Sequence, residues 1–320
     1  MGPWRTVRRS PSRSSERGPA IAFALSVAAI LCAPAIARAQ ACCAAASALG
    51  IARLAPHEDA VIGVGVRAMS LFASIDPTGK YLASPAGTAE YDFEQDIAAT
   101  MRVLTHGQLT AVVPLVETYR SVPGLTDVGG GLGDVQLGAR YDFVETGQSR
   151  RWPGIAFAMS LTLPTGRAPE GASGPLASDA TGTGGVQAGA QLALERTFGD
   201  TFLHLSGSAV WRAPRVVEGL HTQRGPAFTG LAAAGTTFLK GDLVGAVTLS
   251  YVAEMAARFE GVLVPDSGNE GTRVGLSGGY SFSYDWRLQA GLFSDVPFSP
   301  LTRNQPLGAG LSLMLLRSGW

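Results

Sequence analysis

Only three of the 320 residues are cysteine, four are histidine, and charged side chains make up 16% of the chain. Each shortage excludes a class. Cys32, Cys42 and Cys43 all lie near the N-terminus, and adjacent thiols have poor geometry for bridging each other, so no disulfide framework organises the fold. His57, His106, His204 and His221 fall in separate segments without ligand spacing, which argues against a metal site; no cofactor is expected. Lys and Arg number 25 against 25 Asp and Glu, so the basic excess of a nucleic-acid binder is missing. Past the first forty residues no run of about 18 apolar residues occurs, which excludes helical membrane spans there. Yet 46% of the chain is hydrophobic and 41 residues are glycine, a mix too apolar and too regular for disorder.

The N-terminus indicates export. Arg5, Arg8, Arg9, Arg13 and Arg17 form a basic region, residues 20–36 are almost all apolar, and Ala37-Arg38-Ala39 has the small-x-small pattern that signal peptidase reads. We expect a signal peptide over 1–39, cleaved near Ala39; Pro34 interrupts the apolar run and argues against a retained anchor. Cleavage removes six Arg and one Glu, which turns an even balance into a mild acidic excess. Residues 40–59 then form a short segment, hanging in the periplasm or tucked into a lumen. Lipid attachment at Cys42 and a plain thiol pair at Cys42-Cys43 are both open readings, although Ala39-Gln40-Ala41 lacks the large aliphatic residue usual three places before a lipidated cysteine.

From residue 60 the pattern has a period of two. It is sharpest in GGGLGDVQLGARYDF, residues 129–143: Val135, Leu137, Ala139, Tyr141 and Phe143 share one side of an extended chain, and Asp134, Gln136, Gly138, Arg140 and Asp142 share the other. In GIAFAMSLTLPTG, residues 154–166, Ile155, Phe157, Met159, Leu161 and Leu163 repeat the apolar side. Twelve such strands are legible, over 61–74, 91–105, 108–120, 129–143, 154–166, 184–197, 201–213, 227–239, 243–259, 272–284, 286–294 and 307–317. Pro114 within the third removes a ladder donor and predicts a bulge or weak pairing. Long and short links alternate throughout, the long ones over 75–88, 121–132, 164–183, 214–226, 260–271 and 295–306. A transmembrane barrel with short periplasmic turns and longer outer loops predicts this alternation and an even strand number.

A soluble sandwich also alternates, but its strands run to about five or six residues, against about 11 to 17 for most strands here. The fold class is therefore all-β: an antiparallel up-and-down barrel of about 12 strands over residues 60–320, surrounded by outer-membrane lipid. Aromatics near strand ends, Tyr141, Phe143, Trp152, Phe198, Phe202, Tyr284 and Trp286, fit a periplasmic girdle, with Trp211 and Phe259 at the outer rim. GGGLGDVQLGARY followed by LTLPTG (161–166) resembles the outer-membrane proteins of the MetA-pathway-of-phenol-degradation family, most sharply over 121–166. The resemblance implies an outer-membrane barrel acting as a transporter, and phenolic or other hydrophobic cargo. The terminal aromatic Trp320 resembles the signal by which barrel-assembly machinery recognises its clients, which makes that machinery an expected partner.

Candidate chemistry is sparse. Gly129-Gly130-Gly131 with Gly133 lacks the Lys-Ser or Lys-Thr of a phosphate loop and precedes a strand; the glycines read as a tight loop returning into the fourth strand. His204 and Ser206 share one side of a strand, as in outer-membrane phospholipases, but Leu203 and Leu205 claim the lipid face and send His204 inward. No catalytic residue is assigned. The lumen is the better site, and alternation points Asp92, Glu94, Asp96, Arg102, Asp134, Gln136, Arg140, Gln187, Gln191, Glu195, Arg212, Glu254, Arg258, Arg273, Arg287 and Gln289 into it. The expected function is a passive outer-membrane channel or transporter for a small hydrophobic or aromatic solute. The alternatives are a structural or adhesive barrel with a filled lumen and, third, a phospholipase.

Overall fold

In the computed structural model, residues 53–298 and 300–319 are described. The expected signal peptide, Cys42, Cys43 and Trp320 lie outside them. Twelve wall strands make up the barrel among the described residues: β1 (Ala60–Ile75), β2 (Ala89–Leu104), β3 (Gly107–Val122), β4 (Val135–Val144), β5 (Gly154–Leu163), β6 (Gln187–Phe198), β7 (Thr201–Arg212), β8 (Ala227–Phe238), β9 (Leu243–Glu254), β10 (Asn269–Ser281), β11 (Trp286–Val296) and β12 (Gln305–Gly319). Each pairs antiparallel with its neighbours in sequence, and β12 returns to β1 from Ala60 opposite Gly319 to Ile75 opposite Gln305. The ring is closed. Lipid leaves no water to satisfy an open edge, so closure is what lets a sheet cross a bilayer.

The side-chain distribution is inverted relative to a soluble core. Phe157 is 38% exposed, Leu161 38%, Leu276 58% and Leu313 44%, so the bulky apolar residues look out of the ring and not into a shared interior. Alternating with them, small and polar side chains such as Ala156, Ala158, Ala193, Thr100 and Thr110 are buried inside. Tyr141, Phe143, Trp152 and Tyr284 are exposed at the end with the short turns, as a girdle requires.

Four expectations need correction. The stretch 129–143 is not one strand: Leu125–Leu132 pairs with the far half of β3, and a bulge at Gly133-Asp134 separates it from β4. The link 121–132 is accordingly a hairpin that extends the wall outward, turning at Pro123-Gly124 with Gly124 at φ +83. Pro114 sits beside that bulge, its carbonyl accepting from Gly133 N at 2.8 Å; it pairs without a break against β2, so its missing donor falls where the other ladder is already interrupted. The ninth strand stops at Glu254 instead of Phe259. Arg258–Phe259 belongs to a separate four-stranded sheet with Arg215–Val217, Leu220–Gln223 and Val262–Leu263, built by two outer loops. Finally, Phe202 is not in the girdle: in phase with His204, it points inward, is fully buried and packs with Val244 and Ala246. Its ring fills the space a Cβ on Gly235 would need.

Candidate functional site in the barrel lumen

The lumen is furnished at three levels. At the end with the short turns, residues 53–58 cross the bore ahead of β1. Leu54 and Glu58 are buried. Leu54 N donates to Gln108 Oε1 at 3.1 Å, and Arg102, on β2, holds the segment from the other side through Ala55 O at 2.6 Å and Glu58 O at 3.0 Å. Glu58 meets Arg287 at 2.8 Å and accepts from Ser318 Oγ at 2.5 Å. Arg53 reaches the opposite wall, 3.2 Å from Glu195 on β6 and 3.7 Å from Asp142 on β4, which also pairs with Arg140 at 2.8 Å. His204 lies 3.6 Å from Glu195. A charge removed from water in this way is retained only where an opposite charge and hydrogen bonds meet it, and the floor supplies both.

Midway up, Arg67 of β1 pairs with Glu94 of β2, beside Asp96 on the same inward face. Arg273 pairs with Asp295 at 2.8 Å while its guanidinium stands 4.7 Å over the Phe293 ring. Asp92 accepts from Thr118 Oγ1 at 3.1 Å. A cavity of about 440 Å³ lies on the Glu94 side, lined by Gln136, Ser160, Thr162 and Gln187, and one of about 250 Å³ on the Arg67 side, lined by Thr248, Ser250, Arg273 and Phe293.

At the outer end the loop 164–186 folds over the inner face of the β3 hairpin. Asp134 draws it in: Gly166 N donates at 3.0 Å, Thr183 N at 2.7 Å and Thr183 Oγ1 at 2.8 Å. Thr165 Oγ1 donates to Gly133 O at 2.7 Å and accepts from Val135 N at 2.9 Å. The two motifs GGGLGD and LTLPTG thus fasten to each other. Gly129 lies directly under the Ser178–Asp179 backbone, and a Cβ at Gly133 would stand 2.9 Å from Pro114 Cγ. These glycines do not make a tight loop; they leave a flat ledge on which the loop rests. The loop itself is tied by Asp179, which accepts from the Ser173 hydroxyl and backbone N–H and pairs with Arg167. Those bonds, the Ser173 hydroxyl foremost, hold the Asp179 carboxyl well below the usual carboxylate range.

The sequence-derived candidates therefore fall into groups. Arg102, Arg140, Glu195 and Arg287 meet at the floor; Asp92, Glu94, Asp96 and Arg273 stand at mid-height; Gln136 lines the cavity on the Glu94 side; Asp134 and Gln187 bind Thr183 of the outer loop, and Gln187 also accepts from Arg212 at 3.1 Å. Arg212 and Arg224 both pair with Glu254, each at 3.0 Å. Gln191 faces Ala158 and Ser208 across its two ladders. Gln289 is buried, and its Oε1 has no hydrogen-bond partner among the described residues. Arg258 stands apart, exposed in the outer loop sheet. Pattern reading missed Arg53, Glu58, Arg67 and Asp295, and it put Asp142 on the polar side of its strand without counting it among the lumen candidates. Glu58 sits in a Pro-His-Glu-Asp stretch outside any strand, where alternation says nothing; Arg67 and Asp295 lie in strands whose two sides are both largely apolar, or at a strand end.

A family model described as "Putative MetA-pathway of phenol degradation" matches residues 76–315. Among solved structures, the COG4313 outer membrane channel from Pseudomonas putida F1 superposes with a TM-score of 0.68 at 17% identity, covering 83% of this chain and 97% of that one. The translocator domain of the autotransporter NalP from Neisseria meningitidis gives 0.47 at 12% identity, covering 93% and 96%. No curated protein sequence matches.

Proposed function

The chain belongs to the MetA-pathway-of-phenol-degradation family of outer-membrane barrels, and from that premise we propose that it is a passive channel for small hydrophobic or aromatic solutes. The observation that carries the reading is the lumen itself. The inward wall is small or polar, and two cavities flank the Arg67–Glu94 pair below the outer mouth, leaving room for a solute where a filled barrel would pack side chains. The P. putida protein of the same architecture is an outer membrane channel, which supports the reading. No covalent step is assigned: His204 and Ser206 face the lumen, away from lipid substrate, and the protein is proposed to be a non-enzyme. The proposal includes outer-membrane lipid around the wall and the barrel-assembly machinery during biogenesis.

One observation favours the second reading, a barrel with a closed interior. Residues 53–58 are pinned across the floor by Glu58–Arg287, Ser318 and Arg53–Glu195. In a channel this segment has to shift for a solute to leave the bore. Planar-bilayer conductance and liposome swelling separate the two. A channel gives openings in the native chain, and more of them in Glu58→Ala, where Arg287 and Ser318 lose their common partner. A barrel that migrates as folded yet shows neither conductance nor swelling, native or Glu58→Ala, overturns the channel.

A further inference from the structure

Above the loop ledge, at the outer mouth, lies a third and larger cavity of about 510 Å³. Its size falls within the roughly 300–1,000 Å³ of small-molecule sites. Apolar side chains dominate its lining: Leu71 from β1, Leu82 from the short strand Tyr81–Ala83, Val122 at the end of β3, Leu176 from the inward loop, and Pro306 of β12. Set into this lining is one ion pair, Arg120 Nε to Glu90 Oε1 at 2.9 Å. Arg120 is fixed by donating Nη1 to Leu176 O at 2.8 Å and Ala177 O at 3.0 Å. Among the described residues Glu90 Oε2 and Arg120 Nη2 have no hydrogen-bond partner, and each side chain is 33% exposed. The pair therefore offers one strong acceptor beside one strong donor.

We infer that this vestibule binds a neutral, compact apolar molecule bearing a hydroxyl group, the hydroxyl donating to Glu90 and accepting from Arg120. The inference rests on the channel reading and names its capture site and solute class. A hydroxyl is the small group that is both donor and acceptor. A carboxylate would gain Arg120 but stand against Glu90, an ammonium ion would do the reverse, and a bare hydrocarbon would strip water from Glu90 Oε2 and Arg120 Nη2 and put nothing in its place.

The test uses the full chain in lipid nanodiscs, with ¹⁹F NMR of 4-fluorobenzyl alcohol, fluorobenzene and 4-fluorobenzoate. The alcohol is expected to bind saturably and about tenfold more tightly than either comparator, the effect of one good hydrogen bond to a charged group. Leu82→Trp, which fills the cavity from the short strand Tyr81–Ala83, abolishes that binding. Glu90→Gln leaves Arg120 without its counter-charge and reverses the order, weakening the alcohol and strengthening the benzoate. Should Glu90→Gln fail to assemble, Glu90→Asp keeps the charge but shortens the reach, and weakens the alcohol without any gain for benzoate. The inference is overturned if the native chain shows no saturable alcohol binding, if Leu82→Trp leaves it intact, if Glu90→Gln leaves the order unchanged, or if Glu90→Asp leaves alcohol binding unweakened. Liposome swelling runs in parallel: flux without vestibular binding defeats this inference alone, and binding without flux defeats the channel.

Discussion

Single residues seat the outer loop. Gly129 is glycine because the Ser178–Asp179 backbone occupies the place of its Cβ. Gly129→Ala should cost about 1–3 kcal/mol of local overpacking and lift the loop, read as faster trypsin cleavage after Arg167 in the folded barrel. Asp179 supplies a pH prediction. Its folded pKa is lowered, first by the Ser173 hydroxyl, so its contribution to loop order is complete above the unfolded value of about 3.9 and is lost only as pH falls through the lower folded value. The Asp179 carboxyl carbon shift in NMR should therefore show no titration step between pH 7 and 4, and Ser173→Ala should bring the step back toward the ordinary range. None of this was legible in sequence. A glycine needed for a turn and a glycine needed for a flat ledge are written with the same letter, and the partners that distinguish them, such as Ser178 donating to Asp127 O, stand 51 positions apart.

At the scale of the element, alternation identified strands and their faces because a period of two is a local property. Connections were less legible. The outer hairpin of β3 looks like a link in sequence, since its returning strand is glycine-rich and carries no apolar stripe, and the floor segment has no periodicity at all. What places residues 53–58 is a set of ion pairs with Glu195 and Arg287, 142 positions away in the first case. A disulfide checks its role. In a chain with Cys42 and Cys43 replaced by serine, Leu54→Cys with Gln108→Cys should join the segment to β3. The oxidised protein is then expected to conduct less than the reduced one, measured on the same bilayer before and after reductant.

The whole molecule obeys one constraint: apolar groups meet lipid and small or charged ones meet the bore. Leu276→Arg places a cation near the middle of the lipid face of β10 and should cost about 2–4 kcal/mol in urea unfolding from vesicles. Ser277→Arg, one position on, faces the 250 Å³ cavity and should cost far less. The ring itself is legible from strand number and link alternation, whereas its contents are fixed by contacts between residues as far apart as Glu58 and Ser318, 260 positions away. The seam between β1 and β12 carries a further consequence. Arg102, Gln108 and Glu195 can hold the segment before the ring closes, but Glu58 finds Arg287 and Ser318 only after the last two strands have come round to meet the first, so the stopper is fully pinned only in a finished wall. During biogenesis its full docking would mark completion, and an unfinished intermediate would stay incompletely sealed until the final hairpin arrives.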